Sequence, residues 1–428
     1  MAPIIVFLSS GTRPRHFLYD GLVAQTLPRL RLNLDFMPSP VEDRPGLLVR
    51  DSYGYSEQTL IIPPLLAHCL KFFDGEHTEL DVHEELVRVT GDIQSGGLAK
   101  HLLDTLHQSG FLEDEIYEQM KTAKHRAFEA SNVREPAHAG SAYPESAAEL
   151  TGSVREWVGD SNGSHLNGLL GIAAPHVSPA GGYRSYRAAY QALSQSYRDR
   201  TFIVLGTSHY GQSEKFGLTR KNYRTPWGDA HTDLGLVQEL TTRAPQAIVQ
   251  EDYCHAREHS IEFQVLFLQY LFGPDVRVVP ILCGSFARSL FQGGKPEDDE
   301  GVRRFFDALG EIGAREKDRL FWILGIDMAH MGRRYGDQFQ AKADVNEMAE
   351  VALQDQRRIE RMESGDATGF WDLVQPRHDE LKWCGSSPVY TFLKCVPQAR
   401  GALQRYEQWN IDSESVVSFA GMTFSNPV

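Results

Sequence analysis

Four continuous apolar runs dominate the second half of the chain. They are Gly168–Ala174, Phe202–Gly206, Val278–Leu282 and Phe321–Ile326. Runs without polar alternation are typical of parallel strands that are covered on both faces. Apolar stripes at helical spacing alternate with these runs, at Tyr186–Leu193, Ile261–Phe272 and Ala341–Met362. The alternation predicts an α/β domain with a central, mostly parallel sheet flanked by helices.

The first part of the chain has a different pattern. Leu47–Val49 and Leu60–Ile62 predict two short strands of one hairpin. Three helical stretches follow: one ends at Gly75, a short one begins after Thr78, and the third spans Lys100–Gln108. A hairpin with three short helices predicts a small winged-helix-like α+β domain.

The patterns divide the chain into four segments. Residues 1–34 have weak periodicity and predict a poorly ordered extension, and residues 35–112 form the small module. Residues 113–138 are highly charged and predict a linker that is helical in part. Residues 139–428 form the α/β domain.

Charge and length exclude several classes of protein. The 428 residues carry a formal net charge of -14, which argues against nucleic acid or an anionic membrane surface as the main partner, because both require clustered Lys and Arg. No segment approaches the roughly 20 apolar residues that span a bilayer. Five widely spaced cysteines without a C-x-x-C pair predict reduced thiols in the cytoplasm. We also expect no secretory signal at the N-terminus.

Three of the strand-like runs end within a few residues on a histidine: His176, His209 and His330. Ligands of open α/β sheets bind at the carboxyl ends of strands, so these imidazoles are expected to converge. Converging imidazoles indicate metal or proton chemistry. Each histidine alone is also compatible with a turn residue that makes one backbone hydrogen bond.

Other polar residues accompany these histidines. Asp327 lies three residues before His330 and is either a ligand, an acceptor that orients an imidazole, or a helix cap. His259 opens an apolar helix, where the helix dipole favours its neutral, base-competent form, and Glu262 lies on the same side. Ser208 is expected to orient a ring or bind an anion. Cys384 precedes a helix and is read as a residue supporting the site or as a buried structural cysteine.

Seven motifs in order along residues 139–388 resemble the Memo-like family, the protein B component of the AmmeMemoRadiSam system. They are AGSAYP, APH, LGTSHY, TPWG, EHSIEFQ, DMAH and CGSSP. The resemblance implies a fold like that of the class III extradiol dioxygenases, in which two histidines and a carboxylate hold Fe(II).

The resemblance also implies roles for individual residues. His176 and His209 match the two metal-binding histidines, and His259 matches the acid/base histidine. Ala329 stands where the resemblance leads us to expect a cysteine ligand, so His330 or Asp327 is the expected third ligand. Fe(II) is the metal we expect first, with copper and zinc as alternatives.

The small N-terminal module resembles the PqqD-like peptide-recognition domains through its LLAHCLKFFDG and LLDTLHQSGFL segments. The likeness implies a peptide ligand, and a DNA-binding wing is the alternative. The acidic surroundings favour the peptide.

Three functions remain open from the sequence. The first is a metal-dependent, dioxygenase-like redox protein that acts with a radical SAM protein and the third AmmeMemoRadiSam partner. The second is a non-catalytic module that binds a peptide or carries a metal. The third is a metal-dependent hydrolase, which needs the same ligands and an activated water.

Overall fold

A three-stranded antiparallel sheet begins the part of the chain that the computed structural model describes, which is residues 25–41, 43–159, 166, 168–249 and 251–427. The chain divides into two units, Met1–Phe128 and Glu129–Val428. The first unit contains β1 (Leu34–Pro38), β2 (Leu47–Asp51), β3 (Thr59–Ile62), α1 (Pro64–Ala67), α2 (Glu79–Thr90), α3 (Gly96–Gln108) and most of α4 (Glu115–Ala130), with 3₁₀ turns at His68–Phe72 and Ile93–Ser95.

The predicted hairpin is confirmed, since β2 and β3 pair antiparallel with Val49 opposite Leu60. β1 adds a third strand on the other side of β2, which the sequence analysis did not predict. The helices α2 and α3 bury their apolar faces, including Leu86 and Leu106, in the core of this unit. By contrast, α4 buries no side chain, in keeping with the charged pattern from which a linker was predicted.

The predicted extension, residues 1–34, falls partly outside the described residues, which begin at residue 25. Leu27 is buried in the core of the first unit. Arg31 is buried too, because its guanidinium pairs with the Asp51 carboxylate at 3.0 Å and donates to the Gly110 carbonyl at 2.8 Å. Burial through such a polar pair leaves no apolar periodicity for a sequence pattern to reveal.

The second unit contains the large sheet and most of the helices. Its strands are β4 (Val133–Arg134), β5 (Leu169–Ala174), β6 (Thr201–Thr207), β7 (Phe216–Leu218), β8 (Asn222–Thr225), β9 (Gly228–Thr232), β10 (Arg277–Cys283), β11 (Leu320–Gly325), β12 (His330–Gly332), β13 (Arg400–Asn410) and β14 (Ser415–Ser425). Its helices are α5 (Ala147–Val158), α6 (Pro179–Tyr190), α7 (Leu234–Arg243), α8 (Glu262–Phe272), α9 (Ala287–Gln292), α10 (Glu300–Arg315), α11 (Glu347–Ser364), α12 (Ala367–Val374) and α13 (Ser386–Cys395).

The four predicted parallel strands form the centre of this sheet. Among the described residues the sheet runs β12-β14-β5-β11-β6-β10-β9-β8-β4, with β13 paired to β14 and β7 to β10. β5, β11, β6 and β10 are mutually parallel neighbours in that order. The α/β class with a large, mostly parallel sheet flanked by helices is therefore confirmed.

Alternate residues of each central strand belong to two different cores. In β6, Ile203 and Leu205 pack into one cluster, whereas Phe202 and Val204 pack into the other. Successive side chains of a strand point to opposite faces, and helices cover both faces here. This double burial explains why the strands read as unbroken apolar runs.

The helix predicted over Ala341–Met362 begins only at Glu347. Asp344 and Asn346 have positive φ angles of 65° and 52°, so the backbone cannot enter the helix before that point. In the part of the chain that the structure describes, no helix has the length and apolar character needed to cross a bilayer.

Candidate metal centre

Three adjacent parallel strands deliver polar residues to one edge of the sheet. His176 lies two residues beyond β5, His209 two beyond β6, and Asp327 two beyond β11. β11 lies between β5 and β6, so their carboxyl ends meet there. His259 reaches the same place from the loop before α8.

The imidazoles of His176, His209 and His259 form a tight cluster. Each offers a ring nitrogen, and these three atoms lie within 4.8 Å of one another. Their ring centroids are 4.8 to 5.2 Å apart. The ring of His259 stacks on that of His209 at an interplanar angle of 12°. Three nitrogen donors at this separation can bind one metal ion.

His176 is buried and its ring orientation is fixed. Its Nδ1 lies 3.0 Å from the carbonyl oxygen of Gly325, which can only accept, so Nδ1 carries a proton. Nε2, which lies 3.2 Å from Cys384 Sγ, is the nitrogen that can bind a metal once it has lost its own proton. Its backbone N–H donates to Asp327 Oδ1 at 2.9 Å. Burial lowers the pKa of the His176 ring, but Asp327 and Cys384 outweigh burial and raise that pKa to about 10 in the metal-free protein.

A carboxylate that the sequence analysis did not assign to the site fixes His209. The Nδ1 of His209 lies 2.9 Å from Glu258 Oε1, and its backbone N–H donates to Glu258 Oε2 at 2.8 Å. Glu258 is fully buried. Burial raises the pKa of this carboxyl, yet His209 and the other donors hold that pKa well below its usual range. An ionised Glu258 leaves Nε2 of His209 free for a ligand.

His259 is the most accessible imidazole of the cluster, with 24% of its side chain exposed. Its backbone N–H also donates to Glu258 Oε1, at 2.9 Å. Burial of the ring, with a contribution from the neighbouring His209, keeps the pKa of His259 well below its ordinary value. A neutral imidazole at the open side of the cluster can bind a metal or accept a proton.

Cys384 brings a thiol to the same cluster. Its Sγ lies 3.2 Å from Nε2 of His176. Burial raises the pKa of this thiol, but the charge of His176 and hydrogen bonds with His176 and His209 outweigh burial and lower it from 9.0 to about 7. The sequence predicts a supporting role or a structural role for Cys384; in the structure its thiol lies directly against a candidate ligand.

Asp327 supports the cluster through the backbone. Its Oδ1 accepts the backbone N–H groups of His176 and Val177, and its Oδ2 lies 3.4 Å from Nε2 of His176. Burial raises the pKa of the Asp327 carboxyl. The carboxylate therefore holds the turn after β5 in place and remains near enough to His176 to influence its charge.

His330 is not a member of the three-histidine cluster. Its Nδ1 lies 2.9 Å from the carbonyl oxygen of Met328 and 3.1 Å from that of Lys382, and its ring packs edge-on against Tyr335. Burial lowers the pKa of His330 to about 3. The strand β12 starts at this residue and pairs with β14, which turns the backbone away from the end of β11.

Two further candidates have other partners. Glu262 forms a buried ion pair with Arg134 and accepts hydrogen bonds from the Tyr143 hydroxyl and the backbone N–H of His138. The hydroxyl of Ser208 lies beside Gly211. Glu262 does not belong to the three-histidine cluster.

Arg134 is the second residue that sequence analysis missed. It donates to the backbone carbonyls of His255, at 3.0 Å, and Glu258, at 2.6 Å, and so holds the loop that carries His259. No motif pointed to Arg134, because its role depends on partners more than 100 positions away. For Glu258, the other missed residue, the sequence cues are its position next to His259 and its place at the start of the EHSIEFQ motif.

Comparison with known proteins gives a consistent result. A family model described as "Memo-like protein" matches residues 134–423. A MEMO1 family protein of Aquifex aeolicus is 26% identical over 381 residues, which cover 88% of this chain and 95% of the relative. MEMO1 family protein TK1477 of Thermococcus kodakarensis is 30% identical over 306 residues, which cover 68% of this chain and 99% of the relative.

The Aquifex alignment is longer than the second unit and therefore extends into the first. Among solved structures, uncharacterized protein JW3007 from Escherichia coli K12 is similar with a TM-score of 0.36 and 12% identity, over 59% of this chain and 99% of that one. Similarity of that degree supports no argument about function.

Proposed function

The chain belongs to the Memo-like protein family, and we propose that its second unit binds a redox-active transition metal and acts as a dioxygenase-like redox protein. The observation that carries this proposal is the convergence of ring nitrogens from His176, His209 and His259 within 4.8 Å. The hydrogen bonds of the rings support it, because an acceptor on Nδ1 of both His176 and His209 leaves Nε2 as the nitrogen of each ring that can bind a metal, which at His176 displaces the Nε2 proton.

We propose His176, His209 and Cys384 as the ligands. The geometric group of three histidines includes His259 instead of Cys384. We favour the thiol because its lowered pKa makes the thiolate available near neutral pH and because Sγ lies 3.2 Å from His176. This choice replaces His330 and Asp327, the third ligands expected from sequence.

In this proposal His259 moves protons. Its imidazole is neutral and partly exposed, so it can take a proton from a bound substrate and return it. Asp327 holds the backbone of His176, and Glu258 holds the ring of His209, so both imidazoles keep the orientation that a ligand requires. Two imidazoles and a thiolate suit copper, and Fe(II), which the sequence led us to expect first, is the alternative; bound at this site, either metal would supply dioxygen or one-electron chemistry.

Metal analysis tests the proposal. Protein prepared without oxygen is expected to contain close to one iron or copper per chain and to consume dioxygen with a catechol as probe substrate. Stoichiometric zinc with turnover of an amide or ester would favour the hydrolase instead. Tight metal binding without turnover would favour a metal-carrying module. Protein that binds no transition metal contradicts all three.

Several finer points belong to the same proposal. By the resemblance, the α/β domain takes the class III extradiol dioxygenase-like form, and a radical SAM protein and the third AmmeMemoRadiSam component are the partners. Co-purification of the chain with those two proteins tests the partnership. The second unit alone, offered the same partners, is the matched control for a role of the first unit.

A peptide-binding role for the first unit is supported by one observation. β3 pairs only with β2 among the described strands, and a groove of about 490 Å³ lies beside it, lined by Arg44, Pro45, Thr59, Ile61, Pro63 and Pro64. An edge strand with an adjoining groove can accept an extended peptide as a further strand. Chemical-shift changes confined to β3 on addition of candidate peptides would support this role.

A further inference from the structure

Outside the three-histidine cluster, a buried carboxylate lies between two chain segments, and each segment contributes a residue that contacts His176. Asp355, on α11, is fully buried. Its Oδ1 accepts from the Trp383 indole N–H at 2.6 Å, and its Oδ2 accepts from the Ser418 hydroxyl at 2.6 Å and the Tyr406 hydroxyl at 2.7 Å. Nothing in the proposed function uses this carboxylate.

The Ser418 hydroxyl connects Asp355 to the segment Asp327–His330. Ser418 accepts the N–H of Met328 with its carbonyl at 2.8 Å, accepts the N–H of Ala329 with its hydroxyl at 2.8 Å, and donates its own N–H to Ala329 at 2.9 Å. A serine hydroxyl has one proton to donate. Because Asp355 takes that proton, the lone pairs of the hydroxyl stay turned toward Ala329.

The Trp383 indole connects Asp355 to Cys384, its neighbour in the chain. The indole ring is buried, and the Arg358 guanidinium lies 5.2 Å above it. With its N–H bound to Asp355, the indole has a fixed position in the core. The Cys384 backbone that follows is held again by the Thr207 hydroxyl, which donates to the Cys384 carbonyl at 2.8 Å.

The two segments also touch each other at the cluster. The N–H of Gly385 donates to the carbonyl of Asp327 at 3.0 Å. A Cβ at residue 385 would lie only 2.7 Å from that carbonyl oxygen, so the approach requires glycine. A small displacement of either segment would therefore move both Asp327 and Cys384 relative to His176.

We propose that Asp355 is a positioning residue that joins the segments Asp327–His330 and Trp383–Cys384 and so holds Asp327 and Cys384 against His176. The inference rests on the proposed metal centre for its functional meaning. Burying a carboxylate is costly unless its oxygens are hydrogen-bonded. The guanidinium of Arg358 pairs with Asp379 at 2.7 Å. Asp355 is therefore satisfied by hydrogen bonds from three neutral donors. Of these donors, Trp383 belongs to one of the two segments, and Ser418 lies on β14, the strand that holds the other.

Four variants of the full chain test this proposal. Asp355→Asn replaces one acceptor oxygen by a donor at nearly constant volume. Ser418→Ala and Trp383→Phe each remove one connection. Tyr406→Phe is the control, because it removes a donor to the same carboxylate and Tyr406, on β13, belongs to neither segment. Cobalt(II) affinity is the first measurement. The alkylation rate of Cys384 in metal-free protein at pH 7 is the second.

Asp355→Asn is expected to weaken cobalt binding by about 10- to 100-fold, as loss of outer-shell partners does. It is also expected to slow alkylation of Cys384 by roughly tenfold, as the thiol loses its 3.2 Å contact with Nε2 of His176. Trp383→Phe should mainly slow alkylation, and Ser418→Ala should mainly weaken cobalt binding. Tyr406→Phe should leave both quantities within about twofold of wild type.

The proposal would be overturned if Asp355→Asn and Tyr406→Phe gave the same values in both assays. A folded Trp383→Phe protein with wild-type alkylation and a folded Ser418→Ala protein with wild-type cobalt affinity would overturn it as well. Wild-type protein that binds no cobalt would instead contradict the proposed metal centre. The alkylation assay then still decides whether Asp355 positions Cys384.

Discussion

Glu258 Oε1 lies 2.9 Å from Nδ1 of His209, and the same carboxylate accepts the backbone N–H groups of His209 and His259. One buried acceptor thus fixes a candidate ligand and the candidate proton carrier together. The ionised carboxylate of Glu258 has no proton to donate, so Nδ1 of His209 must be the donor. Metal-binding histidines commonly donate their second ring nitrogen to such a carboxylate.

Glu258→Gln is expected to weaken metal binding by about 10- to 100-fold while the fold persists. Glu258 accepts from four groups, Nδ1 of His209 and the backbone N–H groups of His209, His259 and Ser260. The amide retains only one acceptor oxygen for them, so the ring of His209 loses its fixed tautomer. Cobalt(II) titration followed by absorbance measures the change. Glu297→Gln is the control: this carboxylate, far along the chain, accepts from Tyr390 and Lys394 in the same way, and its loss should not alter metal affinity.

His176→Ala removes a ligand atom. It is expected to lower metal affinity by more than the approximately 100-fold that loss of an outer-shell partner produces, so the purified variant should contain little metal. Metal content after anaerobic purification measures this. His231→Ala is the matched control, since His231 is half-exposed and pairs with Asp275. Equal metal content in the two variants would remove His176 from the ligand set.

Cys384→Ser should abolish the thiolate-to-metal absorption of the cobalt protein in the near ultraviolet and weaken cobalt binding. In metal-free wild type, the rate of alkylation at Cys384 should rise with pH through a midpoint near 7, because the thiol pKa is lowered to about 7 and only the thiolate reacts. An alkylation midpoint at the pKa of an unperturbed thiol would contradict this prediction. The buried Cys283 serves as an internal control, since burial raises its pKa to about 12.

The pH dependence of the free energy of unfolding should reveal the raised pKa of Asp355. Burial raises the pKa of this carboxyl from 3.8 to about 6, so the folded protein binds its proton more tightly than the unfolded chain. Its contribution to stability is present below pH 3.8 and is lost as the pH rises through 6. Relative to Asp355→Asn, wild type should lose roughly 3 kcal/mol across this window, at about 1.4 kcal/mol per pKa unit. Urea denaturation at pH 4 and pH 7 measures the difference, and a constant difference would contradict the raised pKa.

In the first unit, Asp51→Asn should destabilise the fold by about 3 to 5 kcal/mol, because it leaves the buried Arg31 guanidinium without its counter-charge. Amide hydrogen exchange of α2 and α3 reports on this unit. Adding Arg31→Met to Asp51→Asn should recover part of the loss. Glu57→Gln, which breaks the exposed pair with Lys124, should change stability by less than about 1 kcal/mol.

Hydrophobic periodicity was sufficient for the central strands and for most helices, because burial on both faces of the sheet leaves an unbroken apolar run. The same apolar runs place His176 and His209 at strand ends on one edge of the sheet. Periodicity could not assign the partners of His330, because pairing of β12 with β14 depends on residues almost 90 positions further along. Nor could it find Arg134 or Asp355, whose acceptors and donors come from distant segments.

The sequence by itself determined the α/β class, the strands that precede the histidines, and the family, because these follow from local composition and from short motifs. Only the tertiary structure decided which side chains meet. It brought Cys384 against His176, turned Glu258 onto His209, and placed His330 among backbone carbonyls. Such contacts arise from packing between distant segments, and neither spacing nor periodicity encodes the distance between two atoms.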